Sequence, residues 1–185
     1  MDPNTPTPAA VLDDGALAES FGAMSLDDAV DALVVPLLRY CRGRTRDEAL
    51  AEDAAQEALA ALVDRWRRHG PPSSPAAFAF TVARRRLGRV LARRRLWAPL
   101  EAVAAWAGGG APPSERLAVR QELTATLAAI DRLSPALRDA LLLVSAGELD
   151  VATASRVLGI SKSALKMRVS RARALLLAAP EEAES

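Results

Sequence analysis

Residues 150–177 read DVATASRVLGISKSALKMRVSRARALLL, and the spacing within this stretch predicts two helices folded over a tight turn. Asp150 is placed to cap the first helix, Gly159 to supply a left-handed turn residue, and Ser161 to cap the second. On the second helix Leu165, Val169, Ala172 and Leu176 recur at intervals of four, three and four, which makes one inward stripe. Lys162, Ser163, Lys166, Ser170 and Arg171 fall on or near the opposite side. The pattern is that of a helix-turn-helix. From Ser155 to Arg173 there are six cations (Arg156, Lys162, Lys166, Arg168, Arg171 and Arg173) and no acid. Such a helix suits the major groove of DNA, where cations meet phosphates and polar tips meet base edges. An ordinary solvated amphipathic helix is the plainer reading; the cap, turn and second cap at this spacing favour DNA contact.

The rest of the chain is written in the same idiom. Ala, Leu, Arg and Glu dominate, aromatics make up 4% of the 185 residues, and runs of β-branched residues are missing. The expected fold class is all-α, as two small helical domains joined by a flexible linker, the C-terminal one a helix-turn-helix. The single cysteine, Cys41, cannot close an internal disulfide, and His69 is the only histidine. Neither suggests a metal or catalytic centre, and Cys41 reads as a structural thiol of a reducing compartment. No apolar run is long enough to span a bilayer and no signal peptide is evident, so a cytoplasmic location is expected.

A net charge of +1 conceals a strong division. Residues 1–64 hold 13 acids and 4 arginines, whereas residues 65–100 hold 10 arginines and no acid. An acidic front followed by a basic block implies two different partners. Residues 1–24, with Pro3, Pro6 and Pro8, read as a disordered N-terminal tail. Ser25 before Leu26, Asp27 and Asp28 opens a helix to about Arg44, in which Pro36 predicts a kink or a break. From about Asp47 to His69, Leu50, Ala54, Ala58, Leu62 and Trp66 form a core stripe. Glu52, Asp53, Gln56 and Glu57 share the other side; composition leaves open whether that side is a solvated face or an interface.

Gly70 to Pro75 is a loop, followed by a helix over about 76–96 carrying Arg84, Arg85, Arg86, Arg89, Arg93, Arg94 and Arg95. Seven arginines in a segment with no acid cannot be paired locally, and a phosphate backbone is the natural counter-charge. A membrane surface is the competing partner, although the apolar face of this helix is needed for a core. Glycines 108–110 with Pro112 and Pro113 mark a linker over 98–114. Helix resumes from Glu115 to Asp131. Ser134 and Pro135 then read as an N-cap with proline at the first helical position, and Gly147 ends that helix. The second domain occupies 115–178, with a short tail at 179–185.

At this point the chain resembles the extracytoplasmic-function (ECF) class of bacterial sigma factors. Pro36 to Tyr40 with Arg42, Arg44, Thr45 and Asp47 is similar to the opening helix of that family's first domain. Ala51-Glu52-Asp53 with Gln56-Glu57 matches its AED and QE motif, and Phe78 stands where a tryptophan is usual. In the second domain Leu133-Ser134-Pro135, Arg138, Leu141 to Leu143, Leu158 to Ser161, Leu165-Lys166 and Arg171 to Arg173 follow the family pattern. The resemblance covers about 150 residues in the family's order.

The resemblance implies that residues 25–97 act as a sigma region 2, with Glu52, Asp53, Gln56 and Glu57 docking on core RNA polymerase. Arg84, Arg85, Arg86, Arg89, Arg93 and Arg94 would meet the minus-ten element. Residues 115–178 would act as a region 4 reading the minus-thirty-five element with Lys162, Ser163, Lys166, Met167, Arg168, Ser170 and Arg171. Arg85 and Arg89 stand where family members often carry Asn and Asp, and Met167 where a small polar residue is common. Core RNA polymerase and promoter DNA are the implied partners, with an anti-sigma factor plausible by family. No cofactor, small-molecule substrate or membrane contact is expected, and no enzymatic activity. A stand-alone helix-turn-helix regulator and a sigma-like interaction protein that does not initiate transcription are the rival readings.

Overall fold

In a computed structural model of the chain, residues 24–97 and 128–178 are described. They form α1 (Leu26–Arg44), α2 (Glu48–His69), α3 (Pro75–Trp97), α4 (Pro135–Ser145), α5 (Val151–Leu158) and α6 (Lys162–Leu177). A short helical segment over 128–132 precedes α4. The described residues thus form two helical domains, α1–α3 and the α4–α6 helix-turn-helix. The tail expected over 1–24 lies outside the described residues except for Met24. So do the linker over 98–114, the tail over 179–185 and most of the helix expected from Glu115.

Local chemistry accounts for where the helices begin. The Asp28 N–H donates to Ser25 Oγ (3.1 Å) and the Leu50 N–H to Asp47 Oδ1 (2.9 Å). The Thr153 N–H donates to Asp150 Oδ1 (2.9 Å) and the Ala164 N–H to Ser161 Oγ (3.1 Å). Each side chain satisfies a donor that the first helical turn leaves without a partner. Gly159 holds φ 66°, the left-handed value that closes α5 and starts the turn. The expectation for Ser134 holds only in part. Pro135 occupies the first turn of α4 as predicted, but the Ser134 side chain makes no capping bond. The arginine of α4 contributes instead: Arg138 donates to the carbonyl oxygens of Ile130, Asp131 and Leu133, closing the C-terminal end of the preceding helical segment.

Pro36 does not break α1, which runs unbroken for 19 residues with the proline buried inside it. A proline removes one intrahelical bond, and packing of both flanking turns against α2, α3 and α4 outweighs that loss. At the far end of α4, Gly147 follows the helix as expected, but the left-handed residue there is Glu148, at φ 54°. Gly147 is required for another reason. A Cβ at this position would lie 2.7 Å from Phe80 Cε1 and 2.8 Å from the Leu143 carbonyl oxygen.

That contact belongs to the main feature of the packing. The two domains do not keep separate cores. One continuous apolar cluster takes Leu33, Leu37 and Tyr40 from α1, Ala54, Ala58 and Leu62 from α2, and Phe80, Ala83 and Leu87 from α3. It continues through Leu142 and Leu143 of α4, Val151 and Ala154 of α5, and Leu165 and Val169 of α6. The predicted stripe on α2 and the Leu165 and Val169 part of the α6 stripe supply this core, with Trp66 only partly buried at its edge. A smaller cluster around Leu133, Leu141 and Ala172 closes the helix-turn-helix on itself.

Phe80 is 0% exposed and meets the Tyr40 ring edge to face, with centroids 5.4 Å apart. Phe80→Ala is expected to cost about 3–5 kcal/mol, and, because the core is shared, both domains should melt together at the lower temperature in calorimetry. The Asp150 cap gives a second expectation. Burial raises its carboxyl, but hydrogen bonds from the side chain and N–H of Thr153 outweigh this and hold it below its ordinary 3.8. Its stabilising contribution is therefore present above that value and is lost as pH falls through the lower folded value. Asp150→Ala should cost about 1 kcal/mol at neutral pH, and the denaturation curves of variant and wild type should converge in strong acid.

Candidate nucleic-acid and polymerase interfaces

The acidic residues singled out on α2 all face outward. Glu52, Asp53, Gln56 and Glu57 are exposed, opposite the buried Ala51, Ala54, Ala55 and Ala58. They are not equivalent. Glu52 lies 3.2 Å from Arg42, which also reaches Glu48 at 2.8 Å, and Glu57 Oε2 lies 2.9 Å from Arg86 Nε. Asp53 and Gln56 have no ion pair or side-chain hydrogen bond among the described residues, so they are the groups this face leaves available to a partner.

The arginines of α3 are not equivalent. In sequence they lie in a segment with no acid, with a phosphate backbone as the expected counter-charge. The fold brings carboxylates to two of them. Arg86 pairs with Glu57, and Arg94 Nη2 lies 2.8 Å from Asp47 Oδ2. Asp47 does two jobs. The Leu50 N–H bond first, and Arg94 second, hold its carboxyl below the ordinary carboxylate range. Arg84 is half-buried on the inner side of α3. Arg85, Arg89 and Arg93 are exposed and four residues apart, so they form one row along a single side of α3. Among the described side chains of α3, this row is the exposed cationic surface without an internal carboxylate partner. Arg85 and Arg89, which stand where the resemblance leads one to expect Asn and Asp, are both in it.

On α6, Leu165, Val169 and Ala172 are buried and Lys162, Ser163, Lys166, Met167, Ser170 and Arg171 are exposed, as the periodicity predicts. Arg168 is half-buried at the side of the helix. No acid lies on α6 to neutralise this face. Met167 is 73% exposed and, with Leu137, Ala164 and Leu175, borders a shallow groove between α4 and α6. An exposed thioether in the middle of a cationic row can make apolar contact with a base edge, as a methyl-bearing side chain does with thymine.

Sequence reasoning did not find one constellation. Arg44 and Asp139 are 9% and 10% exposed at their side chains, and Arg44 Nε lies 2.8 Å from Asp139 Oδ1. The buried Tyr40 hydroxyl donates to the same oxygen at 3.2 Å. Burial first, and the Asp139 charge second, push the Tyr40 phenol far above its ordinary range. The available signal was a charge inside an apolar run: Asp139 precedes Ala140 to Val144, and Arg44 lies one turn beyond Tyr40 on the stripe that includes Leu33 and Leu37. Cys41, beside them, has its thiol pushed up to about 12 by burial, in keeping with a structural role. No helix among the described residues is long and apolar enough to cross a membrane.

Comparison with known proteins places the chain in a family. Residues 29–96 match the model for Sigma-70 region 2, and residues 123–176 match the model for Sigma-70, region 4. No curated protein sequence matches the chain. Among solved structures, that of CnrH in complex with the cytosolic domain of CnrY is 22% identical. It superposes with a TM-score of 0.58, over 83% of this chain and 85% of that one, and shows likeness of fold. The sigma factor RpoE in complex with the anti-sigma factor NepR from Bartonella quintana is 25% identical. Its TM-score is 0.56, over 78% of this chain and 90% of that one. With an N-terminal domain matched to region 2, a C-terminal helix-turn-helix matched to region 4, and the fold of both neighbours, the chain belongs to the sigma-70 family as an ECF-type sigma factor.

Proposed function

We propose that this protein is a promoter-specificity subunit that binds core RNA polymerase through α2 and directs it to promoters bearing a minus-ten and a minus-thirty-five element. The observation that carries this reading is the presence of two separate exposed cationic rows, one in each domain. Arg85, Arg89 and Arg93 lie on α3, and Lys162, Lys166 and Arg171 on α6. A regulator that grips duplex DNA alone needs only the second. The first suits single-stranded DNA, whose backbone follows a positively charged groove.

Roles follow from exposure and pairing. Asp53 and Gln56 carry the core contact, with Glu52 and Glu57 held in place by Arg42 and Arg86. Arg85, Arg89 and Arg93 track the minus-ten backbone. Lys162, Ser163, Lys166, Met167, Ser170 and Arg171 enter the major groove at the minus-thirty-five element, the cations on phosphates and Ser163, Lys166 and Met167 toward base edges. The protein performs no chemistry of its own. An anti-sigma partner is proposed on the likeness to RpoE, which is solved in complex with one.

Run-off transcription with purified core polymerase, the protein and a promoter library tests the reading. It should yield transcripts from a defined promoter class. Tight duplex binding indifferent to core would instead mark a stand-alone regulator, and core binding without transcripts a non-initiating relative. Because Asp53 is exposed and unpaired, Asp53→Lys should weaken core binding by about tenfold or more through like-charge contact. Its melting temperature and duplex affinity should stay unchanged. Lys162→Ala with Arg171→Ala should lower duplex affinity and flatten the plot of log affinity against log salt by about 2, the loss of two phosphate contacts.

A further inference from the structure

The chain has three methionines and one cysteine, the residues whose sulfur takes up oxygen most readily. Their exposure differs sharply. Met24 is half-buried just before α1, and Cys41 is 0% exposed, its thiol pushed up to about 12 by burial. A thiol kept protonated inside an apolar core reacts poorly with an oxidant. Met167, by contrast, is 73% exposed on α6. A thioether has no proton to lose, so access governs its reactivity. Among the described sulfurs, Met167 is the one that an oxidant in solution meets first.

The position of this sulfur gives its oxidation a consequence. Met167 borders two shallow grooves, one shared with Lys166, Ser170 and Arg171, the other with Leu137 and Leu175. The fold does not need its side chain, because Leu165, Val169 and Ala172 supply the buried side of α6. A large apolar group held in solvent at the centre of a cationic face regains burial only against a partner, and a base edge is the partner that this face meets. A sulfoxide replaces the soft, apolar sulfur with a polar group whose oxygen is a strong acceptor. Two effects then act in the same direction. The apolar contact with a thymine methyl is lost. The new oxygen also lies one turn from Arg171, so it competes with DNA for a guanidinium on the same face.

Resting on the reading of α6 as the duplex reader, we propose that Met167 is a reversible oxidation site: an oxygen-donating oxidant of the hypochlorous acid class converts it to the sulfoxide, and the modified helix releases its duplex. The thioether sulfur gives an electron pair to hypochlorous acid. An S–O bond forms, the O–Cl bond breaks, and chloride and a proton leave. A methionine sulfoxide reductase reverses the step, the oxygen leaving as water while a dithiol is oxidised to a disulfide. Because the side chain lies outside the core, the protein stays folded in both forms. The surfaces of α2 and α3 are untouched, so the modification acts on duplex reading and leaves core docking alone.

The test uses the full chain, wild type beside Met167→Leu and Met167→Gln, each treated with an equimolar amount of hypochlorous acid and quenched with free methionine. Peptide mass spectrometry should place the added oxygen at Met167 of the wild type. Its affinity for the minus-thirty-five duplex of a promoter selected in the run-off library should fall by about tenfold, the scale of one lost base contact. Methionine sulfoxide reductase with dithiothreitol should restore it, and the melting temperature should not move. Met167→Leu, which has no sulfur, should bind equally before and after the oxidant. Met167→Gln, polar at similar length, should bind weakly both times. Wild-type affinity unchanged by an oxygen at Met167 overturns the proposal. So does a loss of equal size in Met167→Leu, which would place the damage elsewhere, and so does an oxidised chain whose Met167 remains a thioether. If the untreated chain selects no promoter with core polymerase and prefers no duplex, the reading of α6 fails and the switch with it. Specific binding that is indifferent to oxidation removes the switch alone.

Discussion

The buried contact between Arg44 and Asp139 is the constraint on which the arrangement of the described helices depends. A guanidinium and a carboxylate withdrawn from water must find each other, because leaving either one buried alone costs about 3–5 kcal/mol. Their 2.8 Å approach fixes the end of α1 against the start of α4, and Tyr40 adds a hydroxyl to the same oxygen. Around that point Leu142 fills the space left by Gly43 and Phe80 the space left by Gly147. These glycines serve close approach rather than turn geometry; the left-handed residue beside them is Glu148, at φ 54°.

From this centre the surfaces follow. α1–α3 bury the alanine-rich side of α2 and leave its acidic side in solvent. Fixing α3 against α2 brings Arg86 to Glu57 and Arg94 to Asp47. Internal pairing thereby divides a basic helix into structural and available arginines, and divides an acidic motif into held and available carboxylates. Surface ion pairs of this kind contribute little stability, typically under about 1 kcal/mol. Their effect here is to set which groups remain free to meet a partner. In the proposed reading, free Asp53 and Gln56 face polymerase and free Arg85, Arg89 and Arg93 face nucleic acid, on neighbouring helices of one small domain.

Much of the molecule was legible from local chemistry. The caps at Ser25, Asp150 and Ser161, the αL residue at Gly159 and the inward stripes of α2 and α6 all answer to rules acting over a few residues, and the structure reproduces them. The fold class and the family followed because those signals recur in the right order along the chain. Of the kink or break expected at Pro36, the break does not occur, because the helix is packed on both sides of the proline. Ser134 was over-read because a capping residue type does not guarantee a capping bond.

By itself, then, the sequence determined the helices, their caps, their buried faces and the presence of a helix-turn-helix behind an AED and QE helix, since hydrogen-bond satisfaction and apolar periodicity are local. Only the tertiary structure decided which arginines are paired, which acidic residues remain free, and that Tyr40, Arg44 and Asp139 meet across the two domains. Those outcomes join residues separated by 10 to 99 positions. Burial and Coulomb attraction act through space, and no periodicity along a chain reports on a partner that arrives from another domain.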